Sequence, residues 1–182
     1  RAGGGPVEQE QDVPFGDVRL RGRADALFFI SILPLAGAVQ RIHGFRRDGA
    51  ITTTLEVVVS PENDAEVRRV SVSNSGGRAR EIELTSYAEI VLATPAADTA
   101  HPAFSKLFVQ TQFESDVGVL LATRRVRSVG EAEVWAAHLA VVQGEEIGEL
   151  QFETDRARFL GRGRELRNAI SMLEGQSLSN TV

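Results

Sequence analysis

Carboxylates that could do acid–base chemistry are the first feature to test in this 182-residue sequence. They are scattered along runs that alternate like strands, and Asp98 with His101 is the only close carboxylate–imidazole pair in a loop-like segment. Two-carboxylate cleavage of a glycosidic bond needs the acids about 5–9 Å apart across the sugar. No such pair can be identified from spacing, and we predict solvated strand-face charges and no catalytic residue.

Three histidines, His43, His101 and His138, are the only candidates for nitrogen ligands to a metal. No two of them have the short spacing of a metal site, and the chain has no cysteine to complete one. No P-loop or dinucleotide-binding glycine pattern occurs either. We therefore expect neither a metal site nor a cofactor, and we interpret His138, inside an apolar run, as a core or edge histidine.

The segment 94–105, TPAADTAHPAFS, is the most distinctive polar loop. Loops held between two strands often carry binding groups, because the scaffold fixes their ends. His101, Phe104 and Lys106 could supply a ring and two hydrogen-bonding groups to a sugar or to a neighbouring domain. Alternatively, the two prolines stiffen a crossover and Phe104 fills the core.

Four arginines lie close together near the end of the chain, in the run TDRARFLGRGR: Arg156, Arg158, Arg162 and Arg164. Arginines on a glycine-punctuated loop can bind phosphate, and Arg158 and Arg162 are the candidates in this run for contact with a carbohydrate or a neighbouring domain. The alternative is a turn capped by Asp155 whose arginines are solvated.

Trp135 is the only tryptophan. Tryptophan is a usual platform for sugar rings, but at mid-strand a core or inter-domain role also fits. We favour the core or inter-domain role.

The elements that must position these residues are strands. Short runs of β-branched and apolar residues alternate with turn signals from residue 44 onward, which is typical of a sandwich. Strands are predicted at 50–60, 65–74, 78–93, 106–113, 118–125, 133–143 and 150–153, followed by a short helix at 165–172. The turn Asn74-Ser75-Gly76-Gly77 predicts a hairpin between 68–72 and 81–85.

The net charge and the first 45 residues limit the remaining interpretations of function and domain organisation. The net charge of −5 gives no positive field for nucleic acid. Residues 1–45 read as an atypical lead-in, unassigned, and residues 46–182 as a partial β-sandwich domain. Within the lead-in, the apolar stretch 24–39 could be a buried strand pair or helix, a membrane or export element, or a boundary artefact; it is shorter than a bilayer span and Pro34 interrupts it.

The order of several segments resembles a known family. VRRVSVSN with its glycine-rich turn, REIELTSYAEIVL, AADTAHPAFSKLF and ETDRARFLGRGR ahead of LEGQSLSNTV look like the N-terminal β-sandwich, or supersandwich, of glycoside hydrolase family 94, formerly glycosyltransferase family 36. Within it, the region is most similar to cyclic β-1,2-glucan synthases.

This resemblance implies an antiparallel, galactose-mutarotase-like β-sandwich, incomplete here, with a short C-terminal helix. It also implies that the chain supports a catalytic (α/α)6 barrel in a β-glucan-processing enzyme, and is itself inactive. The partners expected are a β-glucan oligosaccharide, through the parent enzyme, and the barrel domain; a homodimer remains an option. The expected location is the cytoplasm, including the cytoplasmic part of an inner-membrane enzyme. A stand-alone carbohydrate-binding or interaction module is the alternative function.

Overall fold

A computed structural model describes residues 17–32, 41–126 and 128–182 of the chain. Nine strands are the main secondary-structure elements of this part: β1 Asp17–Ile32, β2 Arg41–Asp48, β3 Ile51–Val59, β4 Ala65–Asn74, β5 Ile82–Ser86, β6 Val109–Glu114, β7 Val119–Arg124, β8 Trp135–Glu146 and β9 Gln151–Glu153. Four short helices accompany them: α1 Pro95–Ala100, α2 Pro102–Lys106, α3 Arg156–Leu160 and α4 Ile170–Leu173, the last preceded by a 3₁₀ turn, Leu166–Asn168.

Every described strand pairing is antiparallel, so the predicted antiparallel all-β class is confirmed. Seven strands lie in the order β2-β3-β4-β1-β8-β7-β6, with β1 in the middle. β1 pairs with β4 through residues 26–32 and with β8 through residues 22–32, whereas its first residues, 17–22, pair with β5 and β9. One long strand therefore belongs to two groups of neighbours.

The small group folds over one face of the seven-stranded sheet. Phe152 of β9 stacks on Phe113 of β6, with ring centroids 4.2 Å apart, although β6 is the edge strand of the order β1-β8-β7-β6. Leu84 of β5 and Leu120 of β7 join the same apolar cluster. We call the covered surface the inner face and the opposite one the outer face.

Successive side chains of a strand point to opposite faces, so every second residue lies on the inner face and the others lie on the outer face. On β8, Ala136 and His138 are almost fully buried on the inner face, while Trp135 and Val141 on the outer face are 45% and 47% exposed. A second core cluster forms where the C-terminal helices pack, from Phe159, Leu160, Ala169 and Leu178.

Several local predictions require correction. The strand predicted at 78–93 is only Ile82–Ser86, and the predicted hairpin is wrong, because β4 pairs with β3 and β1 while β5 pairs with β1. The segment predicted as a loop at 94–105 contains α1 and most of α2: Thr94 caps α1 by accepting from the backbone N–H of Ala97, and prolines begin both helices.

The lead-in segment takes part in the sheet. Residues 17–32 form β1, so 24–32 agree with the strand interpretation, and 33–39 lie outside the described residues. The domain division at residue 45 stays a prediction, and β2 runs across that position. None of the helices in the described ranges has the length and apolar character needed to cross a membrane.

Candidate functional site

A cavity of about 250 Å³ lies on the inner face. Its walls come from the segment after β5, the end of α2, strands β6 and β7, and the start of α3. The polar lining residues are Tyr87, Glu89, Lys106, Thr111, Glu153, Thr154 and Arg156. The apolar lining residues include Ile90, Val109, Leu120 and Ala122.

Glu89 is the centre of the polar wall. Its carboxylate accepts hydrogen bonds from the ammonium of Lys106, from Nε of Arg156 at 2.7 Å and from the hydroxyl of Tyr87 at 2.8 Å. The two cations are also its ion-pair partners. One carboxylate thus connects α2, α3 and the segment that follows β5.

The pKa of Glu89 reflects these opposing influences. Burial raises it, but the hydrogen bonds from Lys106, Arg156 and Tyr87, together with the charge of Lys106, outweigh burial and lower the pKa from 4.5 to about 2. The hydrogen bond to Glu89 in turn raises the pKa of Arg156. At neutral pH Glu89 is ionised and can accept hydrogen bonds, but it has no proton to donate.

Local structure explains why Arg156 and Tyr87 meet. Asp155 caps the N-terminus of α3, accepting from the backbone N–H of Ala157 at 2.7 Å and of Arg158 at 3.3 Å. This fixes Arg156 at the first position of the helix. Tyr87 stacks on the fully buried Phe159 of the same helix, with centroids 5.5 Å apart.

The second acid of the cavity, Glu153, is held by the backbone. It is only 4% exposed. One carboxylate oxygen accepts from the N–H of Asp155 at 2.9 Å and the other from the N–H of Ser179 at 3.3 Å. Glu153 therefore joins β9 to the C-terminal segment.

Of the five residues predicted from sequence as contact residues, Lys106 lines the cavity. His101 is exposed between α1 and α2. Phe104 is 45% exposed and packs edge-on against Phe108 at 5.0 Å, so it does not fill the core. Arg158 lies within 3.8 Å of Asp155 and donates to the Thr181 hydroxyl at 3.4 Å, and Arg162 is exposed. For all five, contact with a sugar or a domain stays a prediction.

Sequence reasoning missed Tyr87, Glu89 and Arg156 as a group. The segment around Glu89 was interpreted as a strand, and a single acid on a strand was interpreted as a solvated charge on its exposed face. One usable signal was present: Tyr87 is the only tyrosine and Lys106 the only lysine in the chain. A carboxylate two residues from that tyrosine, inside an apolar run, needs a cationic partner if it is buried.

His138 lies in the core, 1% exposed, opposite Leu120 on the neighbouring strand. Burial, followed by the charge of Arg68, lowers its pKa from 6.5 to about 4, so it is neutral at physiological pH. Within residues 17–32, 41–126 and 128–182, no cluster of three or more His, Asp or Glu residues is arranged to hold a metal ion.

The outer face carries exposed apolar side chains. Val58 of β3 pairs with Val67 of β4, and Leu139 of β8 pairs with Val119 of β7, in rows on either side of β1. Val58 is 44% exposed, and Trp135 is 45% exposed on the same face. Trp135 is therefore a surface residue of the outer face and not a core residue.

Comparison with known proteins identifies the architecture. Residues 41–182 match the family described as glycosyl hydrolase 94, supersandwich domain. The chain is also 44% identical over 133 residues to the cyclic beta-(1,2)-glucan synthase NdvB of Rhizobium meliloti (strain 1021), a stretch that covers 73% of this chain and 5% of that protein. No solved structure matches. Because the family match covers most of the chain and agrees with the antiparallel architecture, the chain belongs to the supersandwich domain family of glycosyl hydrolase 94.

Proposed function

We propose that this chain is a non-catalytic β-sandwich module of a β-glucan-processing enzyme of the cyclic β-1,2-glucan synthase or glycoside phosphorylase type. The observation that carries the proposal is the family match over residues 41–182, together with 44% identity to a small part of a cyclic β-(1,2)-glucan synthase. The module supports a catalytic (α/α)6 barrel in the same enzyme, on the cytoplasmic side of the membrane.

The acids of the cavity support a non-catalytic role. A general acid for glycoside cleavage must keep its proton near neutral pH, which requires a raised pKa. The pKa of Glu89 is lowered to about 2 by its cationic and phenolic donors. Both oxygens of Glu153 accept backbone N–H groups. The two carboxylates therefore hold the fold together.

The outer face supports a contact with another domain. Val58, Trp135 and Val141 of this face are each more than two-fifths exposed, and large exposed apolar side chains on one face can contribute to an interaction site. A helical barrel presents apolar helix stripes that can cover such a sheet face. A homodimer through the same face is the alternative occupant, and it would double the mass measured by analytical ultracentrifugation.

A chimera tests the proposal. The stretch of the Rhizobium meliloti synthase that aligns with this chain is replaced by the corresponding 133 residues, and cyclic glucan production is measured against the wild-type synthase and a deletion of the same stretch. We expect the chimera to make glucan and the deletion to make none. In parallel, the isolated chain is incubated with phosphate and β-1,2-linked glucose oligomers, and we expect no release of glucose 1-phosphate. Turnover by the isolated chain would contradict the proposal.

An independent carbohydrate-binding module is the second candidate, and the cavity on the inner face favours it. The chimera separates the two candidates. An independent binding module should be dispensable for glucan synthesis, so the deletion would keep activity.

A further inference from the structure

We infer that the cavity on the inner face binds one neutral sugar ring of a glycan. The inference rests on the proposed function for the identity of the sugar, a glucosyl unit. The ligand class itself follows from the charge balance, the hydrogen-bonding groups and the size of the cavity.

The charges of the lining favour a neutral ligand. Lys106 and Arg156 contribute two positive charges, and Glu89 and Glu153 contribute two negative charges. Both cations already pair with Glu89. An anion such as phosphate would meet two carboxylates and cations that are already neutralised, so it would gain little.

The hydrogen-bonding groups favour a ligand rich in hydroxyls. An ammonium and a guanidinium together carry about eight N–H donors, whereas a carboxylate offers about four acceptor positions. Lys106 and Arg156 thus have more donors than Glu89 can accept. Their side chains are 38% and 60% exposed, which leaves them accessible at the cavity. Thr111 adds a hydroxyl to the lining.

The volume of the cavity and its apolar lining residues favour a single sugar ring. The cavity volume, about 250 Å³, is just below the range of about 300–1,000 Å³ that holds drug-sized ligands. The apolar residues Ile90, Val109 and Leu120 lie in the same lining. A pyranose has an apolar C–H face and a polar hydroxyl rim, which match these two kinds of wall.

Binding is tested with the full 182-residue chain and the β-1,2-linked glucose disaccharide as the probe. Isothermal titration calorimetry and saturation-transfer NMR should show saturable binding of the disaccharide and weaker binding of inorganic phosphate. If the chain shows no saturable response to the disaccharide, or binds phosphate more tightly, the inference is wrong. The chimera experiment is unaffected by either result, so failure of this inference is distinguishable from failure of the proposed function.

Two arginines of α3 provide a matched pair of variants. Arg156 lines the cavity, whereas Arg158 contacts Asp155 and Thr181. We expect Arg156→Gln to weaken disaccharide binding about tenfold, the effect of one lost charge-assisted hydrogen bond, and Arg158→Gln to leave it unchanged. Equal effects of the two variants would contradict a site in the cavity.

A second variant avoids the Glu89 cluster. Thr111→Val keeps the side-chain shape, removes the hydroxyl from the lining and leaves the ion pairs of Glu89 in place, so it should weaken binding with little change in the unfolding temperature. Circular dichroism confirms that each variant is folded before titration. Unchanged binding by a folded Thr111→Val variant would remove the hydroxyl from the proposed contacts and count against the inference.

Discussion

Replacing Glu89 by glutamine measures how strongly the central carboxylate stabilises the domain. The variant keeps the side-chain shape and removes the charge that Lys106 and Arg156 share. The pKa of Glu89 lies at about 2 instead of 4.5, which corresponds to about 3 kcal/mol at about 1.4 kcal/mol per pKa unit. Because the side chains of Glu89, Lys106 and Arg156 are 32%, 38% and 60% exposed, solvent screening reduces the expected loss to about 1–2 kcal/mol.

The lowered pKa of Glu89 also predicts the direction in which its contribution to stability changes with pH. The folded chain holds Glu89 at a lower pKa than the unfolded chain, so between the two values the unfolded chain binds more protons. The contribution of Glu89 is therefore complete above about pH 4.5 and is lost as the pH falls towards about 2. Urea unfolding followed by circular dichroism, at neutral pH and at several acidic values, measures the difference between wild type and Glu89→Gln.

A matched exposed acid provides the control. Glu62 is exposed in the turn between β3 and β4, so Glu62→Gln should change the unfolding free energy by less than about 0.5 kcal/mol. At neutral pH, Glu89→Gln should lower the melting temperature by about 2–8 °C for a chain of this size. The reasoning is refuted if the two variants are equally stable, or if the deficit of Glu89→Gln stays constant through the acidic range.

Two further predictions concern the core of the sheet. The pKa of His138 is lowered from 6.5 to about 4 in the folded chain, so wild type should lose stability as the pH falls through that window, and His138→Leu should lose less over the same window; equal pH slopes in urea titrations would contradict this. Phe152→Ala removes the ring stacked on Phe113, and we expect a loss of about 3–5 kcal/mol in the unfolding free energy, measured by chemical denaturation; a loss below about 1 kcal/mol would show that β9 does not cover the inner face.

The strands themselves could largely be predicted from local sequence, but their pairing could not. β3, β4, β7 and β8 follow runs of β-branched and apolar residues, and their predicted positions agree with the structure within a few residues. The predicted β4–β5 hairpin failed because both strands pair with β1 instead of with each other, β4 with residues 26–32 and β5 with residues 18–22. A glycine turn is a local signal, whereas the preference for β1 depends on contacts between distant parts of the chain.

The cavity on the inner face likewise depends on contacts between residues that are distant in the sequence. Lys106 was predicted as a contact residue because it follows the polar segment 94–105, and it lines the cavity. Its partner Glu89 and the second cation Arg156 lie 67 residues apart in sequence, so no local pattern joins them. Arg158, chosen from the same arginine run, points to Asp155 and Thr181 because the cap of α3 sets which arginine faces Glu89.

The central position of β1 in the sheet determines how long this strand must wait for its pairing partners during synthesis. β1 leaves the ribosome before the other described strands, whereas its neighbours β8 (135–146) and β9 (151–153) follow about a hundred residues later in the sequence. Until β8 and β9 emerge, the backbone N–H and C=O groups of β1 have, among the described strands, only the partners that β4 and β5 supply. An early strand that waits for late neighbours is open to pairing with other nascent chains, so production of this domain should depend on chaperone capacity more than its size alone suggests.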